Sequence, residues 1–492
     1  MSTPWPRSSD VGAAFRQPES SYVEAAFRRP SNDIDALYSY DDDVVAEKWG
    51  WPELFIALQL LWGLLLFVPG AQAYRTIIRA IPYVMSGASL GYYFLHGRKQ
   101  TLPESTTWLV VSFVLLLLNL LHETAHWLAG GAQIVFQICI SAPVFWMARA
   151  VRTRAQLQRV LWILFAASAL GAIVGVLQVY FPQQFLPPEF SALARSLNPN
   201  VIQSLTYVGA NGREIVRPPG LSDLPGGAAV SGMMSMLLGL TLGLGGYRRW
   251  WVRGVCFAVA AVGMTALYLT HIRSMTLVAA ASVALLAVLR LRQGRTVEGS
   301  LTLAAGVALI VGAYLWALAV GGDAVSGRFS SLADEGVLRM FQDQRGLFIR
   351  YTLSELLYQF PLGAGLGRWG MMQVYFGDST MWQAPPIHVE IQFTGWLLDG
   401  GIPLWILYGG ALFAAVRLSY KQVIVAIDRT LQDGAITVLC LQLILISLCM
   451  TGPVFNTQVG ILFWAITGAL YGATLLRDDE HWEDAHGNAL RA

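Results

Sequence analysis

The sequence predicts an all-α, polytopic membrane protein with about twelve transmembrane helices, two long outer loops and both termini cytoplasmic. Three observations predict it. Hydrophobic residues make up 55% of the chain and charged residues 13%, about half the charged share of a soluble domain. The apolar residues gather in runs close to the roughly 20 residues that a helix needs to cross a bilayer. Basic residues collect in alternate turns between these runs, as expected for turns that stay on the cytoplasmic side. The net charge of +2 gives no electrostatic reason to expect a nucleic-acid partner. The four cysteines, Cys139, Cys256, Cys440 and Cys449, all fall within apolar runs and lack metal-ligand spacing, so they read as small buried residues.

In chain order, residues 1–48 are rich in Ser, Pro, Arg and Asp and include Asp41-Asp42-Asp43. They predict a largely disordered cytoplasmic tail with no cleavable signal. A polytopic domain over 49–478 follows, then a cytoplasmic tail over 479–492. Apolar runs predict spans near 52–69, 77–96, 106–122, 130–148, 158–181, 225–245, 251–271, 274–291, 300–320, 401–418, 434–451 and 456–476. The inside turns then carry Arg98/Lys99, Arg149/Arg152/Arg154/Arg159, Arg248/Arg249/Arg253, Arg290/Arg292/Arg295 and Arg417/Lys421/Arg429. Apart from Arg75 and Arg79, the opposite short turns are nearly uncharged. This pattern fits a bacterial inner membrane. The two long loops, about 182–224 and 321–400, would face outward.

The outer side thereby holds arginines that membrane orientation does not call for: Arg213, Arg217, Arg273, Arg328, Arg339, Arg345 and Arg350. Arg217 lies in Arg217-Pro-Pro-Gly220, where the prolines and glycine fix a turn at the membrane boundary. A guanidinium is a permanently charged fork suited to phosphate; the alternative is a loop arginine paired with Glu214 or Asp223. Arg273 follows Thr270-His271-Ile272, between two spans with almost no loop. It is either functional or reaches outward to the interface. His388 follows Pro385-Pro386-Ile387, and Glu390 stands two residues on, before an apolar run that breaks at Gly400-Gly401. A titratable group where a polar loop re-enters the membrane is costly without a role. Pro361-Leu-Gly363-Ala-Gly365-Leu-Gly367 looks like a turn, since no GK[ST] follows to make it a nucleotide loop.

Four stretches in this order resemble the O-antigen ligase and O-unit polymerase superfamily of bacterial membrane glycosyltransferases. They are Gly175-Val-Leu-Gln178-Val-Tyr-Phe, Arg217-Pro-Pro-Gly-Leu-Ser-Asp-Leu-Pro, Thr270-His-Ile-Arg273-Ser274, and Phe360-Pro-Leu-Gly-Ala-Gly365-Leu-Gly367 followed by His388 and Leu398-Asp-Gly-Gly-Ile-Pro-Leu. The likeness covers about 160–420 and rests on order and spacing. It implies transfer of an undecaprenyl diphosphate-linked oligosaccharide to a hydroxyl of another glycan or of lipid A core, at the outer face of the inner membrane, without metal or other cofactor. It further implies that Arg217 and Arg273 hold the diphosphate and that His388 is the base. Arg345 or Arg350 would add a phosphate contact. Val389 stands where the family usually has a polar residue such as Asn, which leaves that role to Glu390 or Gln392. Asp399 reads as part of the turn into the next span. The chemistry agrees: arginines stabilise the charge that builds on a departing diphosphate, and a neutral His can take the proton of an attacking hydroxyl.

Two other readings are open. His122-Glu123-Thr124-Ala125-His126 fits the H-E-x-x-H pattern of a zinc protease, in which a helix sets both His on one face; Asp399 would be the third ligand. A transporter for lipid-linked glycans would use discontinuous helices, as the Gly400-Gly401 break suggests.

Overall fold

The computed structural model describes residues 49–68, 70–96, 101–186, 206–222, 226–245, 249–334, 336, 339, 341–377, 386–426 and 428–489. The 1–48 tail lies outside them. From Gly50 on, the chain forms one compact unit. It is a helical bundle: α1 Trp51–Leu61, α2 Arg75–His96, α3 Glu104–Asn119, α4 Trp127–Ala150, α5 Arg154–Tyr180, α6 Ala228–Leu244, α7 Trp250–Leu269, α8 Arg273–Arg292, α9 Thr296–Gly321, α10 Asp323–Asp334, α11 Gln392–Val425, α12 Arg429–Ser447 and α13 Gln458–Ala489. A two-stranded antiparallel hairpin, β1 Thr206–Val208 and β2 Glu214–Val216, pairs Tyr207 with Ile215.

Each apolar run of the sequence falls on a helix. Eight described helices are long and apolar enough to cross a membrane: α4, α5, α7, α8, α9, α11, α12 and the first part of α13. Shorter apolar segments are Trp51–Phe67, where α1 tightens into a 3₁₀ turn, α3 and α6. The remaining run is α2, a continuous helix with Pro82 inside it. The core is apolar and includes Phe55, Trp146, Met147, Phe463 and Trp464. Val297, Leu301, Leu303, Val307, Val311 and Leu315 of α9 are exposed, the surface expected of a helix solvated by lipid chains.

Polar contacts sort the helix ends into two sets. At one end Arg159 pairs with Glu53, Arg154 with Asp428, Arg295 with Glu298 and Asp433, Arg429 with Glu298, and Arg417 with Glu104. At the other end Asn119 Nδ2 donates to the Asp399 carbonyl (2.8 Å), Trp316 Nε1 to Tyr180 Oη (2.7 Å), and the His126 amide to the Leu366 carbonyl (3.0 Å). The first set gathers the turns that the charge pattern puts inside, and the second those it puts outside.

Three boundary regions take a definite form in the structure. The break expected at Gly400-Gly401 is present: Gly401, with φ 63°, is non-helical and separates a first helical stretch, beginning at Gln392, from the long stretch that runs on to Val425, the two together forming α11. The stretch 321–400 is built of short helices and turns. It contains α10, the helical segment 342–359 with two π turns, the glycine-rich turn and a short helix Gly370–Phe376. The tail boundary at 478 lies inside α13, which runs to Ala489.

Candidate functional site

The second end of the bundle holds two groups of the candidate side chains. The first is built on the Arg217 turn. Gln178, late in α5, binds both backbone groups of Gly220: its Oε1 accepts from the Gly220 amide (2.8 Å) and its Nε2 donates to the Gly220 carbonyl (2.9 Å). The Ala228 amide donates to the Pro218 carbonyl (3.2 Å), and the Gly226 amide to the Arg217 carbonyl (3.2 Å). Three of the stretches singled out in the sequence are thereby joined, because the Arg217 turn meets the α7–α8 turn. There His271 adopts φ 58°, a left-handed conformation uncommon outside glycine. Its ring stacks on Tyr207 of β1 at 3.9 Å between centroids.

His271 and Tyr207 are buried, and Arg217 is half-buried. Burial, reinforced by the charges of Arg217 and Arg328, holds His271 down at about 4, so the ring is neutral at ordinary pH. Burial and then Arg328 pull Arg217 below its usual value, and burial raises the Tyr207 phenol. Arg273 Nη1 donates to the Arg328 carbonyl (3.4 Å), which ties α8 to α10. Glu214, the loop carboxylate proposed as a partner for Arg217, accepts instead from Thr206 Oγ1 (2.7 Å). Asp223 lies outside the described residues. Tyr207 and the buried neutral state of His271 carry no signal in the sequence. Tyr207 stands sixty-four residues before its stacking partner.

The second group is built on the start of α11. Ala384 and Pro385 lie outside the described residues. The extended strand that follows is tied at both ends: the Ile387 amide donates to the Arg368 carbonyl (2.8 Å), and the Gln392 amide to the Gly452 carbonyl (3.3 Å). Gln392 Oε1 also accepts from the Phe455 amide (3.0 Å). Gln392 is thus an anchor and no substitute for a polar neighbour of His388. Between the ties His388 Nε2 donates to Glu390 Oε1 (3.2 Å), and Glu390 Oε2 forms an ion pair with Arg345. A carboxylate only accepts, so Nε2 carries the proton and Nδ1 of the neutral ring is left as the acceptor. His388 is 76% exposed. The segment carrying Arg345 is fixed to α11 by a hydrogen bond between Thr352 Oγ1 and Thr394 Oγ1 (2.6 Å). Arg350, on the same segment, is exposed and lines a shallow groove with Phe341, Ile349 and Tyr358; it joins neither group. Burial lowers Arg345, but its charge is matched by Glu390, which weakens its case as a phosphate contact.

The glycine-rich turn supports this second group. Gly363, Gly365 and Gly367 have φ of 107°, 85° and 78°. A Cβ on Gly365 would stand 2.9 Å from the Ala125 amide, and one on Gly367 2.6 Å from the Gly130 amide. The turn is a clasp of backbone on backbone, as its lack of a GK[ST] suggests. Trp369 at its end donates from Nε1 to Asp399 Oδ1 (2.7 Å). Asp399 is buried within α11, about two turns from its start. It stands two residues before the Gly401 bend, where the sequence places the turn into the next span.

The H-E-x-x-H stretch is also not a helix. α3 stops at Asn119, residues 120–125 form a turn, and α4 opens at Trp127 with His126 as its N-cap. His122 and Glu123 are exposed while His126 is buried. The one-face geometry a zinc helix needs is missing. No group of three His, Cys, Asp or Glu able to hold a metal occurs among the described residues. No protein-family model matches the chain, and no curated protein sequence matches it significantly.

Proposed function

We propose that this chain is a metal-independent membrane glycosyltransferase of the O-antigen ligase and polymerase type, with about twelve spans in the bacterial inner membrane. It takes an undecaprenyl diphosphate-linked oligosaccharide and transfers the glycan to a hydroxyl of another glycan or of lipid A core at the outer face. The observation that carries this reading is the His388–Glu390–Arg345 arrangement. An exposed imidazole has one nitrogen bound to a carboxylate, which leaves the other to take a proton and steadies the cation that results. Arg217 and Arg273, at the same end of the bundle, hold the diphosphate and stabilise the charge that grows on it as the anomeric bond breaks. The hydroxyl oxygen forms the new bond, its proton goes to His388 Nδ1, and the lipid diphosphate leaves. One direct displacement inverts the anomeric centre. The sorting of polar contacts into two ends supports the sidedness, because the acid-paired basic turns gather opposite the site.

The test compares surface glycan in a deletion strain carrying wild type or His388→Ala. Normal glycan length and attachment with His388→Ala would sink the proposal. Short, unpolymerised units in the deletion strain identify a polymerase, and full-length chains left on the lipid carrier identify a ligase. Unassembled substrate trapped on the cytoplasmic leaflet would favour a transporter.

A further inference from the structure

We propose that Tyr207 and His271 are neutral hydrogen-bond donors of an anion-binding pocket that takes a phosphoryl group against Arg217. Three observations carry it. Tyr207 Oη, His271 Nε2 and Arg217 Nε are all buried from solvent and have no hydrogen-bond partner among the described residues. Tyr207 is 9% exposed and His271 3%, so water is largely excluded from both rings. Buried donors left unpaired are costly, and each calls for a partner. The three groups are also neighbours. The Tyr207 and His271 rings stack, and both rings lie within electrostatic reach of Arg217.

The character of these groups selects the ligand. Arg217 and Arg328 supply fixed positive charge, and the phenol and imidazole add donors without adding charge. The pocket therefore suits a compact oxyanion with several acceptor atoms, as a phosphate has. A phosphoryl group also carries more negative charge than a carboxylate and spreads it over three oxygens, which suits two guanidiniums and two neutral donors. His271 also stands at the turn into α8, whose positive dipole end opens beside it. At the α7–α8 turn His271 itself takes the left-handed backbone, with φ 58°. That strain is the kind stored where a side chain must be aimed.

This inference rests on the diphosphate reading of Arg217 and extends it to two uncharged positioning residues, one of them brought by the β hairpin. The test uses the full-length protein purified in detergent. Binding of inorganic pyrophosphate and of farnesyl diphosphate is measured by calorimetry, for wild type, Tyr207→Phe and His271→Asn. Tyr207→Phe keeps the ring stack and removes one hydroxyl. Asparagine tolerates the left-handed turn, so His271→Asn keeps the backbone. Each variant is expected to weaken both ligands about tenfold, as for a hydrogen bond to a charged group, with its melting temperature kept. Binding of farnesyl diphosphate but not pyrophosphate identifies a lipid-borne phosphate, and equal binding of both identifies the phosphate alone as sufficient. Wild-type affinity in both variants would overturn the inference. If pyrophosphate affinity falls in the variants while His388→Ala makes normal glycan, the pocket stands and the transferase reading falls. If affinity is unmoved while His388→Ala abolishes glycan, the reverse holds.

Discussion

Glu390→Gln separates orientation from charge at the proposed base. The substitution keeps the side chain's length, and the amide oxygen still accepts from His388 Nε2. It removes one negative charge 3.2 Å from the imidazole. Arg345 and Glu390 are each about one-third exposed, at 34% and 33%, so their ion pair is solvent-screened and contributes about 1 kcal/mol or less to stability. The melting temperature in detergent is therefore expected to stay within a few degrees of wild type. Activity should respond more. As His388 takes a proton it becomes a cation, and a unit charge pair at this distance interacts by about 1.3 kcal/mol even in a water-like dielectric. That corresponds to nearly a tenfold loss in transfer rate for Glu390→Gln. Glu390→Ala also frees the ring to turn, and the loss rises to about 100-fold. The assay is transfer of a lipid-linked glycan by purified protein in detergent micelles, with melting measured on the same samples. Wild-type rates in both variants would refute the role of Glu390. Equal loss of rate and of folded protein would also refute it, because the carboxylate would then be structural.

Other outcomes follow from the same geometry. Gly401→Ala puts a Cβ 2.1 Å from the Pro361 carbonyl oxygen at a φ of 63°. It should cost about 2–5 kcal/mol, from the left-handed backbone and from overpacking, read as a lower melting temperature. His271, held at about 4 against an ordinary 6.5, binds its proton more weakly folded than unfolded. Stability is then complete above about pH 6.5 and falls by up to about 3 kcal/mol as the pH drops to 4. Melting curves across this window should show the loss, and His271→Asn should flatten it. His122→Ala removes an exposed ring that bonds to the hydroxyl and the amide of Thr124, within its own turn. Both melting and glycan transfer should stay at wild type, with stability within about 0.5 kcal/mol, and a chelator should leave the rate unchanged.

The bundle was legible because a bilayer allows few alternatives. Apolar runs such as 158–181 must satisfy their backbone internally and so become helices, here α5 over Arg154–Tyr180. The end of a run was less legible than its existence. Residues 392–400 include Gln392, Thr394 and Asp399 and read as loop, yet they are helical because each polar group finds a protein partner: Phe455, Thr352 and Trp369. The same limit hid the site. Arg217, Arg273 and His388 stood out as charged or titratable groups at membrane edges. Tyr207 did not, because a tyrosine in a loop is ordinary until its hydroxyl is buried. The pairing of Arg345 with Glu390 spans forty-five residues and is set by how segment 342–359 lies on α11. The H-E-x-x-H pattern was legible as a helix end, since it stands where an apolar run gives way to Gly130-Gly131, and α3 has indeed ended at Asn119 before it.

The strand between Ile387 and Gln392 is pinned at both margins and holds only four residues between its fastenings. Such a short strand has little slack. His388 can rotate about its own side-chain bonds, but its Cα cannot swing outward to meet an incoming molecule. Under the proposed role of His388, the acceptor hydroxyl must travel to the imidazole, and the measure of a good substrate becomes how far it can reach toward a ring held on a short tether. A one-residue insertion between the fastenings would leave every side chain chemically intact and still turn the ring away, so spacing there should be as intolerant of change as the histidine itself.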